Sequence, residues 1–391
     1  MRRISLCCAL LPAIACTTPA FAGALRLSPF VEYGTEYNSN QFSEPESNRR
    51  SDSVQRATIG TLASWPVSRQ RLVVSAQATR YRYSRFDMLD HSEYSGRGAW
   101  EFQLGPLVFG SLSYRQARYL QEFDNRDDRQ PDFIREQEPQ VDAYVAVSPD
   151  WRVHTTAGYL RLDHGLDSQR RFDRRETSAT LAAEYTGKPG SVIGAGAEVI
   201  DGEYPGRESD DLFSRTFVQK TPFLRLDWKY SGVSRVQGRI GYTERDNSGG
   251  SDRDFTGTTG RIAYVRTLSA KTRVTVEFSR EIFSVDDVDA NFVRDTGGQI
   301  SLAWNYSPKL ELAASAAHRE QDYQTLTRAA SRLDKVNRFQ GELTYRPTRN
   351  LAVVFNGGIV DRNSAIPGES YDQWVGGIAL RVTLDPPPDQ N

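Results

Sequence analysis

From Leu25 the chain alternates between apolar and polar positions. Leu25, Leu27, Pro29, Val31, Tyr33 and Tyr37 take the odd places, with Arg26, Ser28, Glu32 and Glu36 between them. A period of two over a dozen residues predicts a strand with one apolar face. Residues 38–52 are polar and charged and read as a loop. A second strand runs from about residue 53 to Trp65, and a third from Arg71 to about Tyr83. After a loop over 84–93, Tyr94, Gly96, Gly98, Trp100, Phe102 and Leu104 form the apolar face of a fourth strand. The alternation continues to the last strand, whose apolar face is Trp374, Gly376, Ile378, Leu380, Val382 and Leu384.

The connections fall into two alternating classes. Short turns recur at Trp65–Gln70, Gly105-Pro106, Ser148-Pro149-Asp150, 187–190, Ser231-Gly232, 268–271, Ser307-Pro308-Lys309 and 347–350, a period of roughly 40 residues. Long polar connections fall over 120–136, 163–174, 201–212, 245–254, 284–291, 320–334 and 361–370. One hairpin per period gives about 18 strands, and an even count suits a single-chain outer-membrane barrel. The expected fold is therefore all-β: a transmembrane antiparallel up-and-down β-barrel with short periplasmic turns and long extracellular loops. Both termini then fall on the periplasmic side.

Aromatics follow the same layout. Trp65, Phe102, Trp151, Tyr185, Trp228, Trp304 and Tyr345 lie close to short turns and are expected to ring the periplasmic interface. Tyr33, Tyr37, Tyr83, Tyr94, Tyr159, Tyr242, Tyr323 and Tyr371 lie near long loops and are expected to form the outer ring. The alternative is a core of aromatics in a soluble all-β protein. It fits poorly, because soluble strands average about 5–6 residues.

The first 22 residues belong to a different signal. Arg2 and Arg3 precede a short apolar run, and Ala20-Phe21-Ala22 is a small-x-small cleavage site, so residues 1–22 read as a secretory signal peptide. A lipoprotein site at Cys16 is disfavoured by Ala13. Cys7, Cys8 and Cys16 are the chain's three cysteines, so the mature chain has no disulfide framework and no thiol nucleophile. Residues 23–384 then form the barrel and 385–391 a short proline-rich tail. No later stretch approaches the ~18 apolar residues of a transmembrane helix. The mean hydropathy of −0.58 is compatible with a barrel in which every second strand residue faces lipid.

The formal charge is −1, which excludes a generic basic nucleic-acid binder. Most cations are Arg, the better partner for planar bidentate contacts. No catalytic pattern is visible. His91 and His164 fall in predicted loops, His154 on the face opposite the apolar one, and His318 near an outer strand end, none with ligand spacing. There is no G-x-S-x-G elbow. Gly194-Ala195-Gly196 lies inside a strand, and the acidic run 286–291 lacks EF-hand spacing. No metal or cofactor is expected.

By parity, Asp142, Arg225, Asp227, Arg235, Arg239, Glu277, Glu281, Glu311, Arg338, Glu342 and Arg381 line the lumen, which is wide enough for water at this strand number. Charges of both signs there would hydrogen-bond hydroxyls and acidic groups of a passing solute, or brace the wall as ion pairs.

Several stretches carry a family likeness. Trp65-Pro66-Val67-Ser68-Arg69-Gln70-Arg71-Leu72 and Arg80-Tyr81-Arg82-Tyr83-Ser84-Arg85-Phe86-Asp87 are two of them. Asp252-Arg253-Asp254-Phe255-Thr256-Gly257-Thr258-Thr259-Gly260-Arg261 and Tyr345-Arg346-Pro347-Thr348-Arg349-Asn350-Leu351 are the others. Together they resemble the EpsL-type, exosortase-B-associated exopolysaccharide-biosynthesis proteins, over nearly the whole mature chain. The resemblance implies an outer-membrane barrel that takes part in export of an extracellular polysaccharide. Outer-membrane lipid, the polymer and periplasmic export proteins would be its partners. It supplies no catalytic residues. The chain departs from barrels generally in ending at Leu384 and a proline tail rather than on an aromatic. Alternatives are a general or sugar-specific diffusion porin, an outer-membrane enzyme acting on polysaccharide or lipid, and a soluble β-solenoid or propeller.

Overall fold

The computed structural model describes residues 23–126, 128–208, 213–249, 254–284, 290–325 and 332–384. The expected signal peptide (1–22), the tail (385–391) and most of the acidic run 286–291 lie outside the described residues.

Eighteen antiparallel strands follow one another: β1 (Arg26–Asn38), β2 (Asp52–Val67), β3 (Gln70–Tyr83), β4 (His91–Leu104), β5 (Val108–Leu120) and β6 (Phe133–Ala146). Next come β7 (Trp151–Asp163), β8 (Arg174–Tyr185), β9 (Val192–Glu203), β10 (Thr216–Ser231), β11 (Ser234–Asn247) and β12 (Phe255–Ser269). The last six are β13 (Thr272–Ser284), β14 (Ala290–Ser307), β15 (Leu310–Thr325), β16 (Arg332–Tyr345), β17 (Leu351–Ser364) and β18 (Tyr371–Thr383). Each strand pairs with its neighbours in sequence, and β1 closes the ring by pairing with β18. Closure leaves no edge, so every strand's backbone groups find partners, as a lipid environment demands. It also rules out a solenoid or propeller.

The two-residue side-chain period decides which face meets lipid. Val31, Tyr33, Ile59, Leu72, Val74, Ile240, Phe278, Ile300, Phe339 and Ile378 are large, apolar and exposed, and the register puts them in continuous outward rows such as Tyr33↔Ala57 and Leu72↔Trp100. The strands reach 12 to 18 residues, beyond the 9–11 needed to cross a bilayer with tilt. No described helix is long and apolar enough to cross a membrane.

Short turns gather at one rim. In the turn between β2 and β3, Trp65 and Pro66 belong to β2 and pair with Leu72 and Arg71, so the reversal itself is carried by Ser68 at φ 56°. Trp65, Phe102, Trp151, Tyr185, Trp228, Trp304 and Tyr345 sit at outward positions near this rim, where Trp151 packs on Tyr185 at 5.3 Å.

The opposite rim carries the long connections, and three expectations need correction there. The last four residues of the 120–136 connection are strand, since β6 starts at Phe133, and β15 runs on to Thr325. His91 is the first residue of β4, bonded through Nδ1 to the Leu89 carbonyl at 2.6 Å, rather than a loop residue. The third concerns the outer tyrosines. Tyr33, Tyr37, Tyr94, Tyr159 and Tyr242 are exposed outward, but Tyr83, Tyr323 and Tyr371 turn inward. On β3 the even residues lie beside the outward Trp100, on β15 beside Trp304, and on β18 they include Trp374 itself, so an odd-numbered tyrosine must face in.

Apolar burial occurs in small clusters under the long loops rather than in one core. Phe42, Leu89 and Phe123 pack together with Tyr83, Phe86 and Leu120. The loop between β9 and β10 rests on the 3-10 turn Asp167–Phe172, so closely that a Cβ at Gly206 would overlap the Arg170 carbonyl.

Candidate functional site: the lumen and its constriction

The eleven parity-chosen residues all occupy inward positions of the register, and most of them make pairs along the wall. Arg381 bonds Glu32 (2.6 Å), and Arg235 grips Asp227 through two contacts of 2.5 and 2.6 Å. Arg239 bonds Glu198 (2.9 Å), Arg346 bonds Glu311 (2.8 Å), and Arg261 reaches Glu281 (2.7 Å) and Glu277 (3.8 Å). Asp142 lies 3.3 Å from His154 Nε2. Arg338 and Glu342 make no ion pair among the described residues.

The tightest wall cluster surrounds Glu184, whose side chain is fully shielded from water. It accepts hydrogen bonds from Arg152 Nε (2.7 Å) and Arg225 Nη1 (2.7 Å), with His154 Nδ1 at 3.1 Å. Tyr144 stacks between His154 (4.2 Å) and Phe109 (5.1 Å), and Arg152 lies 4.4 Å over its ring. A carboxylate with several charged donors is held strongly, and removing it would strand the cations. Glu184, Glu32, Glu198 and Arg261 are absent from the parity-chosen set, although the alternation that selected the others applies equally to them.

No alternation could place the third long loop. It leaves β5 and folds into the mouth instead of standing outside it. Phe123 is buried against Phe42 at 5.0 Å. Asn125 then reaches across to β15–β17, seven strands around the ring. Its Oδ1 accepts from Arg362 Nη2 (3.0 Å), Arg332 Nη2 (3.2 Å) and the Tyr323 hydroxyl (3.4 Å), and Arg362 also donates to the Asp124 carbonyl. The two arginines are themselves fixed by Asp334, fully buried, at 2.6 and 3.1 Å. The far end of the loop is tied by Arg129, bonded to Glu44 at 2.6 and 2.8 Å.

Below this strap lies a cavity of about 890 Å³. On one side it meets Glu36, Tyr81, Tyr83, Glu93, Glu122 and Asp124. On the other it meets Arg273, Arg338, Gln299 and Gln340, while Asn356 donates to Glu36 at 3.1 Å where the two sides meet. Acidic and basic groups therefore line the same cavity. Glu122 touches that water but is enclosed by the wall. The enclosure pushes its carboxyl up and Asp124 pushes it further, against the pull of Arg338. A second cavity of about 480 Å³ lies against the Arg225–Asp227–Arg239 wall.

The outer loops have one further anchor. Asp132, fully buried, accepts from Gly165 N (2.8 Å) and Leu166 N (2.9 Å) and pairs with His164 Nδ1 (2.7 Å). Burial alone would raise its pKa, but these bonds hold the carboxyl below its usual range. No group of three or more His, Cys, Asp or Glu among the described residues is arranged to hold a metal ion.

A closed 18-strand antiparallel barrel with an apolar outside, a charged wet inside and an in-folded loop belongs to the fold class of outer-membrane porins. No protein-family model matches the sequence, and no curated protein matches it. Solved structures do. The outer membrane protein OpdK from Pseudomonas aeruginosa superposes with a TM-score of 0.50 at 11% identity, covering 93% of this chain and 100% of that one. Pseudomonas aeruginosa OccK2 (OpdF) in complex with glucuronate gives 0.50 at 10% identity, with 94% and 100% covered. Pseudomonas aeruginosa OccK9 (OpdG) gives 0.50 at 12% identity, with 92% and 98% covered. At these identities the likeness is one of fold.

Proposed function

We propose that the chain is a passive outer-membrane diffusion channel for small hydroxylated solutes that carry a carboxylate. The observation that carries this reading is the strap pinned by Asn125 to Arg332 and Arg362. It narrows the mouth above a cavity whose volume falls within the ~300–1,000 Å³ range of small-molecule sites. Gln299, Gln340 and Asn356 offer hydrogen bonds to hydroxyls, while Arg338 and Arg273 offer charge to a carboxylate. The glucuronate in the OccK2 complex is a solute of this kind. Lipid surrounds the apolar band, and the short-turn rim faces the periplasm. Reconstitution into liposomes tests the reading: a uronate should enter faster than a neutral hexose of equal size, and R338Q should remove the difference. Equal rates for both solutes in the wild type would overturn it.

A second reading is export of an extracellular polysaccharide with periplasmic partners. It rests on the particular wording of the turns Trp65–Leu72 and Tyr345–Leu351. Deletion of the gene followed by measurement of surface polysaccharide separates the two, because unchanged export with intact biosynthesis removes this second role.

A further inference from the structure

The outer surface of the barrel is not electrically uniform near its long-loop rim. Along β3–β8 the outward positions at that end are occupied by Arg80, Arg82, Arg118, Arg135, Arg161 and Arg175. Their direction follows from the register, since Arg118 lies beside the exposed Tyr94, and Arg82 beside Gln55 in the outward row of β2. Five of the six are exposed. Arg118 is half-buried, lying 4.3 Å over the Phe133 ring and donating to the Ser92 carbonyl at 2.7 Å.

Two rungs of this surface set like charges directly opposite each other, Arg118↔Arg135 and Arg161↔Arg175. Such rungs destabilise a sheet unless something neutralises them. The protein neutralises them sparingly. Asp163, the outward acid beside Arg135, is engaged by Arg161 at 2.8 Å, and Glu203, beside Arg175, lies 4.0 Å from Arg215. Arg80, Arg82, Arg135 and Arg175 make no ion pair among the described residues. Across the ring the outward cations at the same end, Arg280 apart, have acids at hand. Arg294 pairs with Asp322, Lys335 lies 3.9 Å from Glu320, and Lys220 faces Glu244 in register. The uncompensated charge is thus concentrated in one arc, roughly 24 Å wide at the usual strand spacing. The exposed Tyr94, Tyr114 and Tyr159 lie beside it or one or two outward positions below, which sets the arginines at headgroup depth.

We propose that this arc is a docking belt for the phosphate groups of an anionic glycolipid in the outer leaflet. The guanidinium fork matches phosphate geometry, and its charge is retained at any accessible pH. Paired arginines on adjacent strands supply what one phosphate group needs, and the apolar rows below take the acyl chains. The inference rests on the membrane orientation of the proposed function, with the long loops outside, but not on what the lumen conducts.

The test uses the full chain in nanodiscs of phosphatidylcholine doped with bisphosphorylated lipid A or with its dephosphorylated form, and reads lipid retained on the protein by native mass spectrometry. The wild type should retain the phosphorylated lipid and not the dephosphorylated one. The variant R118Q/R135Q/R161Q/R175Q should lose retention on the order of 100-fold. The far-arc variant K220Q/R280Q/R294Q/K335Q, with the same loss of charge, should retain it. Equal retention of the two lipids, or equal loss in both variants, would overturn the belt. If the quadruple variant does not assemble, R135Q/R175Q carries the test with about a tenfold loss expected, and unchanged retention refutes the proposal. Solute flux is measured for the same variants in liposomes: lost selectivity with retained lipid counts against the channel reading alone.

Discussion

The strap across the mouth is the feature on which most depends, and Asn125→Ala isolates it. The substitution removes one acceptor and with it three hydrogen bonds, two of them from guanidinium groups. Hydrogen bonds to charged groups contribute about 1.5–3 kcal/mol each. Asn125 is only half-buried and water can replace part of what is lost, so the low end applies, about 3 kcal/mol in all. That raises the population of the released strap on the order of 100-fold. Release should be local. Phe123 stays packed between Phe42 and its neighbours, and Arg332 and Arg362 keep Asp334. Single-channel recording in planar bilayers should show a larger conductance with added flicker, while the heat-modifiable gel mobility of the barrel stays that of the wild type. Asn125→Asp is the matched control, since a carboxylate accepts from the same two arginines and should leave conductance at or below the wild-type value. A conductance for Asn125→Ala equal to wild type, in a correctly assembled barrel, would show that the strap does not limit flow.

Three other expectations follow from charged groups. Glu122, with its carboxyl raised by enclosure and by Asp124, should be neutralised before ordinary carboxylates as pH falls. The cation-to-anion permeability ratio, read as reversal potential in a salt gradient, should fall as that happens, and E122Q should abolish the change. Glu184→Ala leaves Arg152 and Arg225 without their shared carboxylate. Both guanidiniums keep some access to lumen water, so the cost sits near the low end for a broken buried pair, about 3 kcal/mol. The temperature of the gel-mobility transition should drop, and an unchanged transition would refute the bracing role. Asp132 has a depressed carboxyl, so its contribution is present at neutral pH and is lost only as pH falls below 3.8 through its lower folded value. Limited proteolysis should therefore find the loop after β7 protected at pH 5 in wild type and cut at neutral pH in Asp132→Ala.

Much of the barrel could be read from alternation because lipid enforces it. A one-residue slip would turn Val31 and Tyr33 into the lumen and Glu32 into hydrocarbon, so the pattern is strict wherever the strand crosses the membrane. The same strictness sets the inward positions of Asp227, Arg239 and Arg381. Beyond the hydrocarbon the constraint lapses. There Tyr83, Tyr323 and Tyr371 resemble girdle residues by their distance from a loop, yet parity turns them inward. Which acid each lumenal arginine meets was not legible either. Arg225 bonds Glu184 from two strands away, a contact set by barrel curvature and side-chain reach rather than by spacing in sequence.

The strap lay further from view. Apart from Phe123 and Pro131, residues 121–132 are charged and polar, which suits a solvated loop as well as an in-folded one. The distinguishing signs are an apolar residue, Phe123, with no alternation to serve, and two inward-parity arginines at the tops of β16 and β17, Arg332 and Arg362, which have guanidinium donors to spare beyond Asp334 and Glu369. Each is weak by itself, because their meeting depends on strands seven places apart in a closed ring. Together they explain why the wall and the strap divide the work. Most wall charges are satisfied by wall neighbours, as Arg235 is by Asp227, and so have little left for a solute. Of the groups left without an ion pair, Arg338 lies toward Glu122 beneath the strap, and Glu342 lines the same cavity nearer the short-turn rim. Selectivity should therefore follow substitutions at the strap and at Arg338, while substitutions at Asp227, Glu198 or Glu32 should first change the stability of the barrel.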